Sequence, residues 1–324
     1  MSTTKTLTQD EVSILLTAAV HAPSMHNTQP WRFEIDGPVI DILLDPERTL
    51  PASDPADRLT RIGLGAAAFN VRVAAALLGH ESTFAIDPDP ATPEVIARIF
   101  LADRGAPVPD LSSLYGAIGR RHTYRGPMTD QTVSPKVIQS LIEAARSEGA
   151  ELRVLNEAQR SRLAGILQAA DLLELRDEDR LHERARWIGG DRSTEGVPDQ
   201  ALGPLPVGPA AFRDLSAGFD RPHRGRAVFE ETPAIMVLST DSEDEPAWVQ
   251  AGLALQRVLL TATSYKVAAS FLNQVVEFPA VRNQVRNLIA ATSWPQLVIR
   301  LGYPTQESGH TPRRPWNDAL DHWH

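Results

Sequence analysis

The sequence predicts an α+β fold, on three observations. A short amphipathic helix passes through a polar loop into a strand near the N-terminus. A long alanine-rich helix follows at 58–79, and the second half sets short strands around another such helix at 247–264. Period-3.6 and period-2 patterning alternate along one chain, which excludes an all-α or all-β class.

The elements follow in order. Val12, Leu15, Leu16 and Ala19 recur at helical spacing after Thr8, and Glu11 three residues on completes the pattern of a capping box. Trp31, Phe33 and Ile35 alternate as in a half-buried strand, with 39–44 as hairpin partner across Asp36-Gly37-Pro38. Helix 58–79 is almost apolar between Ile62 and Leu78, which places it centrally. Strands are expected at 82–86 and 95–101, and residues 103–110, with Gly105, Pro107 and Pro109, read as a linker. Beyond it, strands at 152–155, 235–239 and 296–301 surround helix 247–264 and a further helix at 279–291.

Between Val154 and Ala234 two charged helices, 158–175 and 178–188, precede an irregular stretch. Residues 189–209 carry five glycines and four prolines in 21 positions, so no regular element is expected there. Long irregular loops in compact domains serve as lids, as binding arms or as disordered excursions. Phe212 and Phe219 would let the far end dock.

Composition sets outer bounds. With 324 residues the chain can bury a large core, and two structural units are expected from length. A net charge of −9 argues against nucleic-acid and anionic-membrane partners, and zero cysteines exclude disulfides and thiolate metal sites. Met1-Ser2-Thr3-Thr4-Lys5 leads straight into an amphipathic helix and no apolar run approaches roughly 18 residues, so a cytoplasmic protein without a membrane span is expected.

Three segments carry candidate chemistry. In Pro23-Ser24-Met25-His26-Asn27-Thr28-Gln29-Pro30-Trp31, the Ser24, Asn27 and Gln29 side chains could offer donors and acceptors to a planar heterocycle. An Asx or proline turn that satisfies its own backbone uses the same residues. Arg120-Arg121-His122-Thr123-Tyr124-Arg125 places three guanidiniums and a hydroxyl in six residues, a donor set suited to phosphate, although charge runs are commonly solvated faces. Near the C-terminus Gly302-Tyr303-Pro304 is followed by Pro312-Arg313-Arg314-Pro315, a basic element stiffened by its prolines.

Other motifs are weaker. Gly63-Leu64-Gly65-Ala66-Ala67-Ala68 approximates a dinucleotide fingerprint but lies within a helical run, where close helix packing explains it better. His21 and His26 lack the spacing of a helical metal pair and a third ligand, and His322 and His324 fall in a terminus expected to fray. Metal catalysis is not expected.

Together the three segments resemble the nitroreductase-like flavoprotein family. The loop matches at Pro23, Ser24, Asn27, Gln29, Pro30 and Trp31; the basic segment at Arg121, His122, Thr123 and Arg125; the tail at Gly302, Tyr303, Pro304 and Arg313 or Arg314. The resemblance implies FMN as cofactor, with Arg121, Thr123 and a tail arginine on its phosphate and Ser24, Asn27 and Arg125 on its ring. Pro23, Met25 and Gln29 complete the implied cofactor site. It also implies NAD(P)H as reductant and a nitroaromatic or quinone as oxidant, with no catalytic acid, base or nucleophile from the protein.

Family members are usually homodimers and carry the basic segment ahead of the ring loop, an order reversed here. An internal duplication would explain the reversal. Leu15-Leu16-Thr17-Ala18-Ala19 aligns on Leu141-Ile142-Glu143-Ala144-Ala145 at an offset of 126, and Ala67, Val71 and Ala75 on Ala254, Val258 and Ala262 at 187. The first copy keeps the ring loop; in the second, Ser147-Glu148-Gly149-Ala150 stands in its place. The expected organisation is therefore one repeat at 1–104 and a second at 111–324, with inserted helices and lid at about 157–230, the monomer imitating the family's dimer. Such an arrangement resembles the Acg-type branch of mycobacteria and related actinobacteria, for which ordinary nitroreductase activity is doubtful. An NAD(P)H-dependent reductase and an FMN storage protein with a closed lid both fit it.

Overall fold

The computed structural model describes residues 6–207, 224–290 and 292–324. Helix α1 (Gln9–Val20) starts at Thr8, whose Oγ1 accepts the Glu11 N–H at 3.3 Å while the Glu11 carboxylate accepts the Thr8 N–H at 2.9 Å. This box satisfies two amides that a first turn leaves without partners. Strand β1 (Trp31–Asp36) then pairs antiparallel with β2 (Val39–Leu44) across Gly37. Helix α2 (Arg58–Leu78) ends on Gly79 at φ +87°, and β3 (Ser82–Ile86) and β4 (Val95–Leu101) follow.

Short helices α3 (Pro109–Ser112) and α4 (Tyr115–Ile118) lead to α5 (Pro135–Ser147), capped by Ser134, and to β5 (Glu151–Val154). Next come α6 (Glu157–Leu175), α7 (Glu178–Trp187), β6 (Leu205–Val207) and β7 (Arg226–Val228). The chain finishes with β8 (Ala234–Thr240), α8 (Glu245–Ser264), β9 (Ala268–Phe271), α9 (Gln274–Glu277), α10 (Pro279–Leu288), β10 (Trp294–Gly302) and β11 (Leu320–Trp323).

The first sheet runs β11-β1-β2-β4-β3 and the second β5-β8-β10-β9. Leaving β11 and the separate β6–β7 pair aside, each sheet sets its four strands in the order first, second, fourth and third along the chain, all antiparallel. Helices α2 and α8 cross between them with no room for side chains. A Cβ on Gly65 would lie 2.1 Å from the Val249 carbonyl oxygen, and one on Gly252 would lie 2.1 Å from that of Ile62. Gly65 therefore serves helix packing, as the sequence suggested for its glycine motif. Each helix also feeds the other half's core: Leu59 and Ile62 join the apolar cluster of the second sheet, and Val249, Leu253 and Leu260 that of the first. The outer face of the second sheet is covered by α6, α9 and α10, through Leu163, Leu167, Val275 and Val285 against Val237 and Val298.

Two expectations need correction. The C-terminus does not fray: β11 adds to the first sheet parallel to β1, pairing Glu34 with His322, and His324 N–H donates to the Ile35 carbonyl at 2.9 Å. Free strand edges gain hydrogen bonds this way, which a scan for local pattern does not detect. The stretch from residue 189 is not wholly irregular, since it holds a 3-10 turn at Asp199–Ala201 and strand β6, paired in parallel with β7. Its residues Val197, Ala201 and Leu202 bury with Ile188 in a small core of their own. Positions 208 and 209, with Phe212 and Phe219, lie outside the described residues. By length and composition α2 could cross a membrane, but Arg61, Asn70 and Arg72 interrupt it and most of it is buried at the centre of the molecule.

Candidate functional site

The loop between α1 and β1 has an unusual backbone. His26, Asn27 and Gln29 adopt φ of +50°, +58° and +55°, a region that costs non-glycine residues on the order of 1 kcal/mol each. Local bonds hold it: Ser24 Oγ accepts the Gln29 N–H at 3.0 Å and the Ser24 carbonyl accepts the Asn27 N–H at 3.1 Å. Distant bonds hold it too. Asn27 Nδ2 donates to the carbonyls of Gly196 at 2.9 Å and Pro312 at 3.0 Å, while Asn27 Oδ1 accepts from Arg313 Nη1 at 2.7 Å. Gln29 Nε2 donates to the Thr194 carbonyl at 2.8 Å, and its Oε1 accepts the Arg314 N–H at 2.9 Å.

These bonds bring three distant segments together at one cavity. The space measures about 1220 Å³ including its open mouth. Pro23, Ser24, Met25, Asn27, Arg121, Thr123, Arg125 and Arg313 line it. Gln29 and Arg314 do not. Gln29 is fully buried as a tie between segments, and Arg314 donates to the Asp318 carbonyl and sits 3.9 Å from Asp45. The side-chain hydrogen bonds of Asn27 go to protein groups, which differs from the ring contact expected for it.

Thr123 forms a parallel bridge with Ala269, and the Tyr124 N–H donates to the Ala269 carbonyl at 2.8 Å, so the basic segment is laid along the start of β9. Arg121 is only 6 % exposed; its Nη2 donates to the His21 carbonyl at 3.1 Å, and its Nε is buried without a hydrogen-bond partner. Arg120, by contrast, is exposed and donates to the Gly116 carbonyl four residues back. Burial pulls the Arg121 guanidinium down to about 10. Arg313 falls to about 9, through burial first and then repulsion from Arg121 and Arg125; its Nε also lacks a partner. Both remain cations at neutral pH. Burial, with the neighbouring cations, also lowers His21 and His122, and the His122 and His310 rings lie tilted at 43° with centroids 4.3 Å apart. Clustered buried cations with unpartnered donors have the chemistry to accept an anion.

The remaining walls were not legible in the sequence. Leu59, Ile62 and Gly63 come from α2, and Ser270 and Phe271 from β9, positions that patterning assigns only to core or strand. Val197, Leu202, Pro204 and Pro206 close the cavity from the other side together with Arg224, which donates to the Gly203 carbonyl at 2.8 Å. Among the described residues no group of three or more His, Asp or Glu could hold a metal ion.

The model of the nitroreductase family matches residues 118–303. The chain is 31% identical over 322 residues to a Mycobacterium tuberculosis protein named "Putative NAD(P)H nitroreductase Rv3131", with 96% of this chain and 91% of that protein covered. The chain belongs to the nitroreductase family. A second M. tuberculosis protein, named "Putative NAD(P)H nitroreductase acg", is 28% identical over 97% of this chain and 96% of its own length, so the Acg-type branch is the part of the family to which the sequence lies near. Among solved structures, a nitroreductase with bound FMN from Desulfitobacterium hafniense aligns at a TM-score of 0.40 and 17% identity, over 62% of this chain and 94% of that one. The family match starts just before the basic segment and ends at Tyr303, so it omits the 23–31 loop and the arginine tail that complete the cavity.

Proposed function

We propose that the cavity binds FMN and that the protein is an NAD(P)H-dependent two-electron reductase of nitroaromatics or quinones. The observation that carries this reading is the pair of buried guanidiniums, Arg121 and Arg313, whose Nε atoms lack partners and which line a cavity of mixed polar and apolar walls. A terminal phosphate would supply the missing acceptors. Thr123 would add its hydroxyl, and Arg125, held to the Ala201 carbonyl at 3.1 Å, gives the wall a fixed cation. The Ser24 hydroxyl accepts from Gln29 and keeps its own hydrogen for a ring acceptor. FMN, when bound, supplies the redox chemistry, which needs no acid or base from the chain.

The reading includes two tandem repeats, 1–104 and 111–324, that imitate a dimer. The matching strand orders support it, as does the crossing of α2 and α8, where Gly65 and Gly252 stand 252 − 65 = 187 residues apart and Ile62 and Val249 likewise 249 − 62 = 187. One flavin per chain follows. At the second copy of the loop Glu148 is buried and accepts from Arg72 at 2.7 Å and from Arg257 at 2.8 Å, and Gln250 Nε2 occupies the space beside Gly149.

A second reading, FMN storage under a lid, is favoured by the ties on residues 194–197. Thr194 and Gly196 are bonded to Gln29 and Asn27, and Glu195 pairs with Arg48. Anaerobic stopped-flow mixing of the FMN-loaded protein with NADH and NADPH separates the two. Rapid bleaching of the flavin establishes the reductase, and reduction by dithionite alone establishes storage.

A further inference from the structure

Asn27 joins three segments with every hydrogen-bonding group of its side chain. Its two N–H bonds reach Gly196 and Pro312, and its oxygen receives Arg313. Its backbone carbonyl also accepts the Gly196 N–H at 3.1 Å, so Asn27 and Gly196 bond reciprocally. Gly196 has no substitute: φ is +73°, and a Cβ there would lie 2.5 Å from the Trp187 carbonyl oxygen. Arg313, on the other side, is held by Asn27 and Thr311 through Nη1 alone, which leaves Nε buried without a partner on the wall of the cavity.

We propose that Asn27 is a positioning residue that sets Arg313 for an anionic ligand and fastens residues 194–197 over the cavity, so that anion binding and closure of this segment reinforce each other. The inference rests on the reading of the cavity as an FMN site. Physically, an anion on Arg313 orders the tail, an ordered tail holds the Asn27 amide, and that amide holds Gly196. Two sites that bias one arrangement are coupled reciprocally. A neutral ligand of the same ring, which gives Arg313 nothing, leaves the segment as it was.

The test compares FMN with riboflavin, which lacks the phosphate. Dissociation constants from flavin fluorescence are measured for the natural protein, Asn27→Ala, Arg313→Ala and the double variant. The preference for FMN over riboflavin is expected to fall roughly 10-fold in each single variant, as for loss of one charge-assisted hydrogen bond, and no further in the double variant. A purely structural role would weaken both flavins alike. In parallel, FMN but not riboflavin is expected to slow tryptic cleavage at Arg192, and to do so only when Asn27 is present. Asn27→Asp, which keeps an oxygen for Arg313 but lacks both N–H donors, serves where the alanine variant does not fold, and it should lose that protection. An unchanged FMN preference in Asn27→Ala, additive losses, or full protection of Asn27→Asp by FMN overturns the inference alone. A natural protein that binds neither flavin overturns it together with the reading of the site.

Discussion

Gly65 and Gly252 meet at the crossing of α2 and α8, and each leaves room for one carbonyl of the other helix, that of Val249 and that of Ile62. The two helices approach backbone to backbone. Substituting Gly65→Ala forces them apart and disturbs both apolar clusters that share them, so a loss of about 1–3 kcal/mol or more is expected, as for overpacked cores. Thermal melting should drop by several degrees. A variant that melts with the natural protein would remove this crossing as the centre of the fold.

The flavin stoichiometry should be one per chain, read from the ratio of flavin to protein after saturation and gel filtration. The position that the proposed repeat would make equivalent to the loop holds Glu148 with its two arginines, Arg72 and Arg257. Two flavins per chain would be incompatible with that arrangement.

Replacing Arg121 by alanine should weaken FMN binding about 10- to 150-fold, the range for a hydrogen bond to a charged group worth roughly 1.5–3 kcal/mol. Arg120→Ala should change it little, because Arg120 is exposed and bonded to its own turn. Equal effects of the two substitutions would show that the phosphate lies elsewhere.

The flavin-free protein should lose stability as the pH falls from about 7 to 5. Burial and nearby arginines keep His21 and His122 below their ordinary value of 6.5, so the unfolded chain takes up protons that the folded chain does not. The stabilisation from their neutral forms is whole above 6.5 and is lost as the pH falls through the lowered folded values. Urea midpoints across this range check it, and the double replacement His21→Asn, His122→Asn should flatten the slope. An undiminished slope would assign the effect to other groups.

Exchanging residues 189–207 for a short Gly/Ser linker should speed FMN release and let NADPH reach the flavin. It should also cost stability, contrary to what a glycine- and proline-rich segment suggests, because Val197, Ala201 and Leu202 are buried and each buried aliphatic side chain contributes about 1–3 kcal/mol. Off-rates and NADPH reactivity equal to those of the natural protein would show that the segment does not control access.

The secondary structure was legible where a local pattern is strong. The Thr8–Glu11 box, the hairpin from Trp31, the apolar α2 and the three strands expected at 152–155, 235–239 and 296–301 fall within a few residues of their places, whereas the short strands β6, β7, β9 and β11 were not expected. Eight of the ten candidate cofactor residues line one cavity, since motifs on loops survive as short runs of unusual composition. Gln29 and Arg314 do not, although they stand in the same runs as Asn27 and Arg313. Which of two adjacent side chains faces a cavity depends on φ and on partners hundreds of residues away, such as Thr194 and Asp45.

By itself, then, the sequence determined the α+β class, the longer helices and the strands of strongest pattern, and the three polar segments worth examining, because periodicity, capping and turn chemistry act between neighbours. Only the tertiary structure decided that β11 closes the edge of the first sheet, that Asn27 binds protein groups on three sides, and that a few apolar residues beyond Gly189 form a core of their own. Each of those outcomes is a pairing between segments far apart in the chain, and the free energy of such a pairing resides in the contact and in neither segment alone.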